Sequence, residues 1–184
     1  MKRAIVAPPS LAPAALSELK AWLGISTSRD DAELTALIMT ALDLCEGFTG
    51  TLPLQAGCEE VLPASAEWQA LATRPVQAIT GAAALAVNGS RTALSASDYE
   101  FDLDAEGAGL FRLRRPIDPA RVVVTFTAGL ASGWSALPDP LRHGIMRLAA
   151  HQHRGRDADK AVASGFPPAA VAALWRPWRR MRLA

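Results

Sequence analysis

The sequence predicts an α+β protein with a helical body, an antiparallel β-rich insertion and a C-terminal docking tail. Apolar residues recur at helical spacing in the first 50 residues and again after position 139. In the middle of the chain, they recur instead at every second position. The last ten residues combine two tryptophans with four arginines. The predicted boundaries are 1–53 and 137–164 for the helical body, 54–136 for the β-rich insertion and 165–184 for the tail.

Two helices are predicted near the N-terminus. The first covers 10–24 and places Trp22 among the apolar residues of one side. The second covers 30–49, with Asp30 as the expected N-cap and Gly50 as the residue that ends it. A third helix is expected from about 139 to 154, with a proline at its first position.

The middle of the chain predicts a small antiparallel sheet or sandwich. Asn88-Gly89 is a strong hairpin signal, and Glu106-Gly107 indicates a second turn. From 98 to 104, aromatic and aliphatic residues alternate with acidic ones, which predicts one apolar and one solvated face. The β-branched run 122–127 indicates a strand buried on both faces.

The charges are unevenly distributed along the chain. Residues 1–139 hold 10 Lys and Arg against 16 Asp and Glu, while residues 140–184 hold 9 against 2. A basic end on an acidic body indicates an anionic partner, either nucleic acid or an acidic protein surface. The apolar runs are much shorter than the ~20 residues of a membrane span, so we expect neither a membrane segment nor a signal peptide.

No residue cluster in the sequence predicts catalysis or a cofactor. On a helix, His151 and His153 point in different directions, and His143 is too far from them to share a metal ion. The acidic segment from Asp98 lacks the glycine and glutamate of a calcium loop. We therefore expect a non-enzymatic protein with no catalytic residue, metal site or cofactor.

The tail is the strongest candidate for a binding site. Tryptophan and arginine are enriched at the energetic centres of protein interfaces, and the same residues suit single-stranded nucleic acid. A tail folded onto its own body is the third interpretation of this composition.

Several ordered segments resemble the head–tail connector (adaptor) proteins of tailed bacteriophages and of phage-derived gene transfer agents. The resemblance covers about residues 14–180 and depends on the order and spacing of short segments. These are Asp30-Asp31-Ala32-Glu33-Leu34, Gly47-Phe48-Thr49-Gly50, Arg74-Pro75-Val76, Asp98-Tyr99, Val124-Thr125-Phe126-Thr127-Ala128-Gly129, Leu137-Pro138 and the closing Pro177-Trp178-Arg179.

This resemblance implies a structural adaptor that forms a dodecameric ring under the portal, extends the DNA channel and links the capsid vertex to the tail. The implied partners are the portal protein, the next neck (stopper) protein and further copies of the chain, with DNA only as transiting cargo. The implied location is the bacterial cytoplasm during assembly and then the neck of a phage or phage-like particle. The alternative function is a small nucleic-acid-binding protein that uses the C-terminal arginines and tryptophans.

The resemblance also implies that the C-terminal segment grips the portal. The expected portal-docking residues are Phe166, Trp175, Arg176, Trp178, Arg179, Arg180 and Arg182. We expect this segment to be poorly ordered until it docks. Asp43 and Glu46 share one face of the second helix and are expected to face the channel, where they would repel DNA phosphates.

Overall fold

The computed structural model describes residues 3–118, 120–155 and 167–179, which form two compact units. One unit comprises residues 1–9 and 54–130, and the other comprises 10–53 and 131–184. The first consists of antiparallel sheets and the second of helices, so the predicted α+β class is confirmed.

The β unit contains a five-stranded and a three-stranded antiparallel sheet, with strand orders β1-β2-β8-β4-β5 and β3-β7-β6. The strands are β1 (Arg3–Ala7), β2 (Ala56–Pro63), β3 (Gln69–Ala70), β4 (Val76–Leu85), β5 (Arg91–Ala93), β6 (Tyr99–Leu103), β7 (Gly109–Leu113) and β8 (Arg121–Ala128).

Strand β8 lies at the centre of the larger sheet, as its β-branched sequence predicts. Val122, Val123 and Val124 are consecutive and all buried, which means that both faces of the strand are covered. The hairpin at Asn88-Gly89 joins β4 to β5, with Gly89 in the left-handed region at φ 86°. The second turn, at Glu106-Gly107, joins β6 to β7.

The N-terminal residues belong to the β unit, which differs from the expected helical body of residues 1–53. Arg3–Ala7 pairs antiparallel with β2, and Ile5 lies opposite Cys58. The unit also ends at residue 130 rather than 136. The strand escapes sequence analysis because its pairing partner lies about fifty positions away and its own side chains are mostly exposed.

Strand β6 does not show the expected separation of apolar and acidic faces. Phe101 and Leu103 are 51% and 39% exposed, whereas Asp98, just before the strand, is buried and accepts a hydrogen bond from Arg115 at 2.5 Å. Because β6 is the outer strand of a three-stranded sheet, it has a neighbouring strand, β7, on one edge only. Its apolar side chains therefore have fewer neighbours within the sheet to cover them.

The described residues of the helical unit form four α-helices, namely α1 (Pro13–Leu23), α2 (Asp31–Thr49), α3 (Asp139–Gly155) and α4 (Ala169–Trp175). Helix α2 packs against α3, and α1 packs against both. The Asp30 side chain makes no capping hydrogen bond, which differs from its expected role as the N-cap, although the Asp30 carbonyl accepts the Leu34 N–H. Gly50 ends α2 at φ 72°, as expected. None of the helices described here is both long and apolar enough to cross a membrane.

Cys45 is buried in α2, and burial raises the pKa of its thiol from the ordinary 9.0 to about 12. We expect Cys45 to react with a thiol reagent at neutral pH only when the helical unit opens. Because the folded-state pKa is the higher one, this group's contribution to stability is full below pH 9 and is lost as the pH rises toward 12. Labelling followed by mass spectrometry, with and without denaturant, measures the protection. Rapid labelling of the native protein at Cys45 would contradict it.

Candidate partner-binding surface of the helical unit

The C-terminal segment folds onto its own unit as far as the structure describes it. Helix α4 packs against α3 and contacts α2. Trp175 at its end has no exposed surface, and its indole N–H donates to the Leu141 carbonyl at 3.4 Å. Pro168 lies immediately before α4, and its carbonyl accepts the N–H groups of Val171 and Ala172, which anchors the first turn.

A glycine on α3 makes room for the indole of Trp175. A Cβ added to Gly144 would clash with the indole nitrogen and would lie only 2.8 Å from the adjacent ring carbon Cε2. Phe48 of α2 covers the ring from another direction, with the two ring centroids 6.0 Å apart. Trp175 is therefore a core residue that joins α4 to α3 and α2.

The residues after Trp175 present cationic groups at the surface of this unit. Arg176 is exposed, Pro177 continues a 3-10 turn, and Trp178 is half-buried. The Arg179 guanidinium lies 5.4 Å from the Phe48 ring centroid, a cation–π contact that holds its charge over α2. The arginines can bind an anionic partner while Trp175 remains in the core.

One expectation for the tail is therefore corrected. Trp175 is covered by the chain itself, which leaves it no surface for the portal. The expected ordering of this segment on docking stays a prediction. Sequence reasoning favoured a docking anchor because a tryptophan among arginines has the composition of an interface centre. Arg176, Trp178 and Arg179 retain accessible surface, and their docking role stays a prediction. Phe166, Arg180 and Arg182 lie outside the described residues.

The predicted acidic face of α2 is on the surface. Asp43 is exposed and Glu46 is partly exposed, on the same side of the helix. Their exposure is compatible with a channel-facing position, which stays a prediction.

A second basic surface lies beside Trp22, which is 46% exposed rather than part of the core. Arg147, His151 and Arg154 follow one another at helical spacing along one face of α3, and all three are exposed. With Trp22 they line a groove of about 180 Å³ that is completed by Ala150, Pro168, Ala170 and Val171. The edge of the Trp22 ring meets His143, with the centroids 5.4 Å apart. We call this surface the Trp22 groove.

Sequence analysis missed the Trp22 groove. The spacing of Arg147, His151 and Arg154 was a readable signal, but the position of Trp22 beside them depends on how α1 packs. Among the residues that the structure describes, no three His, Cys, Asp or Glu side chains gather closely enough to hold a metal ion.

No protein-family model and no curated protein matches the chain. Solved structures do match, among them three of gene transfer agent particles. One is the neck of an empty gene transfer agent particle computed with C6 symmetry, with TM-score 0.78 and 26% identity, and it covers 100% of this chain and 98% of the other. The virion of the native particle matches with TM-score 0.75 and 26% identity. The neck of the native particle computed with C12 symmetry matches with TM-score 0.75 and 27% identity, and both matches have the same coverage.

These matches are to particle components and suggest a non-enzymatic protein. The similarity extends over the whole chain and therefore includes both units and the C-terminal segment. The chain has the fold of a gene transfer agent neck protein along its full length, and the predicted resemblance to head–tail connectors is confirmed.

Proposed function

We propose that this chain is a structural head–tail adaptor that forms a ring under the portal, extends the DNA channel and links the capsid vertex to the tail. The observation that carries the proposal is the similarity of the whole chain, in both directions of coverage, to chains of a gene transfer agent neck. Two of those neck structures were computed with C6 and C12 symmetry, which supports a ring and agrees with a dodecamer.

The proposed partners are the portal, the next neck protein and further copies of this chain, with assembly in the bacterial cytoplasm. The exposed arginines beside α4 support a contact with an acidic protein surface. In the ring, the acidic face of α2 with Asp43 and Glu46 borders the channel. Carboxylates along the channel wall would repel the phosphates of passing DNA.

The salt dependence of binding separates the adaptor from the alternative nucleic-acid-binding protein. A protein that contacts 6–10 phosphates loses about 10³–10⁵ in DNA affinity between 50 and 200 mM salt. Docking to a portal through partly apolar contacts should weaken far less over that range. A pull-down of the purified portal and a fluorescence binding assay with DNA, both performed across that range, test the proposal. Strong, steeply salt-dependent DNA binding without portal capture would contradict it.

The exposed tail arginines provide a mutational prediction. We expect Arg176→Ala and Arg179→Ala each to weaken portal capture about fivefold to tenfold, since a contact at an interface rim is worth about 1 kcal/mol. Arg121→Ala, which removes the same charge from an exposed position in the β unit, is the matched control and should change little. Undiminished capture by the Arg176→Ala, Arg179→Ala double variant would exclude these arginines and move the portal contact elsewhere.

A further inference from the structure

The Trp22 groove combines exposed cationic side chains with exposed apolar surface. Arg147 and Arg154 pair with no carboxylate within the described part of the chain, and His151 lies between them on the same helix face. Trp22, Ala170 and Val171 supply the apolar part of the lining. Such a groove fits a ligand that carries carboxylates next to apolar side chains.

The β unit of the same chain displays such a segment. Phe101 and Leu103 are 51% and 39% exposed on one face of β6, Asp102 is exposed between them on the opposite face, and Asp104 and Glu106 are exposed in the following turn. We call residues 101–106 the acidic hairpin. It is the β6 arm and turn of a hairpin whose large apolar side chains lack a full cover within their own unit.

The tip of the acidic hairpin is held in shape before any partner binds. The Asp104 carboxylate accepts the N–H groups of Glu106 at 2.9 Å and Ala108 at 2.6 Å, and Gly107 adopts φ 77°. A preformed tip loses little conformational entropy on docking. The segment is therefore suited to insert into a groove on another molecule.

A ring of more than two identical copies needs a heterologous interface, in which one surface of each copy meets a different surface of the next. Neck structures similar to this chain were computed with C6 and C12 symmetry. The acidic hairpin and the Trp22 groove are two different surfaces of one chain with opposite charge and matching apolar groups. We infer that, in the proposed ring, the acidic hairpin of each copy docks in the Trp22 groove of its neighbour.

This inference rests on the proposed ring and names the surfaces that close it. The charged part of such an interface is screened by salt, with a Debye length of about 8 Å at physiological ionic strength. The contact is consequently weak between two isolated copies and becomes effective when the portal holds the copies side by side.

Disulfide trapping tests the contact, because both native cysteines are buried. The test variant carries Leu103→Cys in the hairpin and Ala170→Cys in the groove, is assembled on the portal and is then oxidised. We expect a ladder of covalent oligomers from the doubly substituted chain and none from either single variant. Dimers from a single variant would indicate a symmetric contact, and a portal-bound ring without a ladder would place the interface elsewhere. Either result overturns the inference.

Charge reversal supplies an independent readout. Asp102→Lys with Glu106→Lys, or Arg147→Glu with Arg154→Glu, should each reduce ring assembly on the portal at least tenfold, while the four changes together should restore it. Failure of the combined variant to assemble, although circular dichroism shows it folded, would overturn the inference, as would arginine reversal that abolishes DNA binding but leaves the ring intact. A wild-type chain that forms no ring on the portal overturns the proposed function as well.

Discussion

Replacing Trp175 with alanine is expected to destabilise the helical unit by about 3–5 kcal/mol, the usual cost of truncating a large buried aromatic side chain. The change removes the indole from the space between α4, α3 and Phe48 and removes the hydrogen bond from its N–H to the Leu141 carbonyl. The α-helices that the structure describes all lie in this unit, so denaturant unfolding followed by the helical circular-dichroism signal measures the loss.

Two further variants make the Trp175 prediction specific. Gly144→Val should be strongly destabilising too, because its side chain would occupy the space of the indole. Trp178→Ala removes the same side chain from a half-buried position and should cost only about 1 kcal/mol. If Trp175→Ala left stability unchanged but abolished portal capture, Trp175 would be a docking anchor and its place in the core would be wrong.

Replacing Glu60 with alanine is expected to destabilise the β unit by about 3 kcal/mol, since the buried N–H and hydroxyl of Thr73 lose their acceptor at about 1–3 kcal/mol each. Glu60 is fully buried in β2, and its carboxylate accepts the N–H groups of Ala72 and Thr73, both at 2.8 Å, and the Thr73 hydroxyl at 2.6 Å. It thereby fixes the segment before β4 to the middle of the sheet.

Hydrogen exchange of the β2, β4 and β8 peptides measures this effect, with the α3 peptides as an internal reference. The neighbouring Glu59→Ala is the matched control. It breaks the 2.9 Å ion pair of Glu59 with Arg91, whose side chains are 15% and 52% exposed, and a pair with one such exposed partner is worth up to about 1 kcal/mol. Equal loss of protection in both variants would show that the buried hydrogen bonds of Glu60 have no special role.

The parts of the fold that could be predicted from sequence are those specified by local signals. The apolar spacing of α2, its end at Gly50 and the turn at Asn88-Gly89 depend on neighbouring residues, and the structure confirms them. Strand β1 could not be predicted, because an exposed edge strand is defined by its distant partner β2.

The same distinction explains the outcome for the candidate site. Tail composition correctly indicated a basic surface, but it could not show that Trp175 faces inward, since that depends on the space above Gly144 on the preceding helix α3. A glycine within the predicted third helix was the available signal, because such a residue often marks close packing. The Trp22 groove was missed for a similar reason, since α1 and α3 are far apart in sequence.

Electron microscopy of the purified chain, alone and mixed with the portal of its own particle, tests the central claim most directly. The proposed function predicts that the chain alone is a monomer or weak oligomer at micromolar concentration. With the portal, it predicts a ring of this chain below the portal, with the twelve-fold symmetry of the related neck. A chain that leaves the portal undecorated, or that forms a stable ring without the portal, would contradict the account.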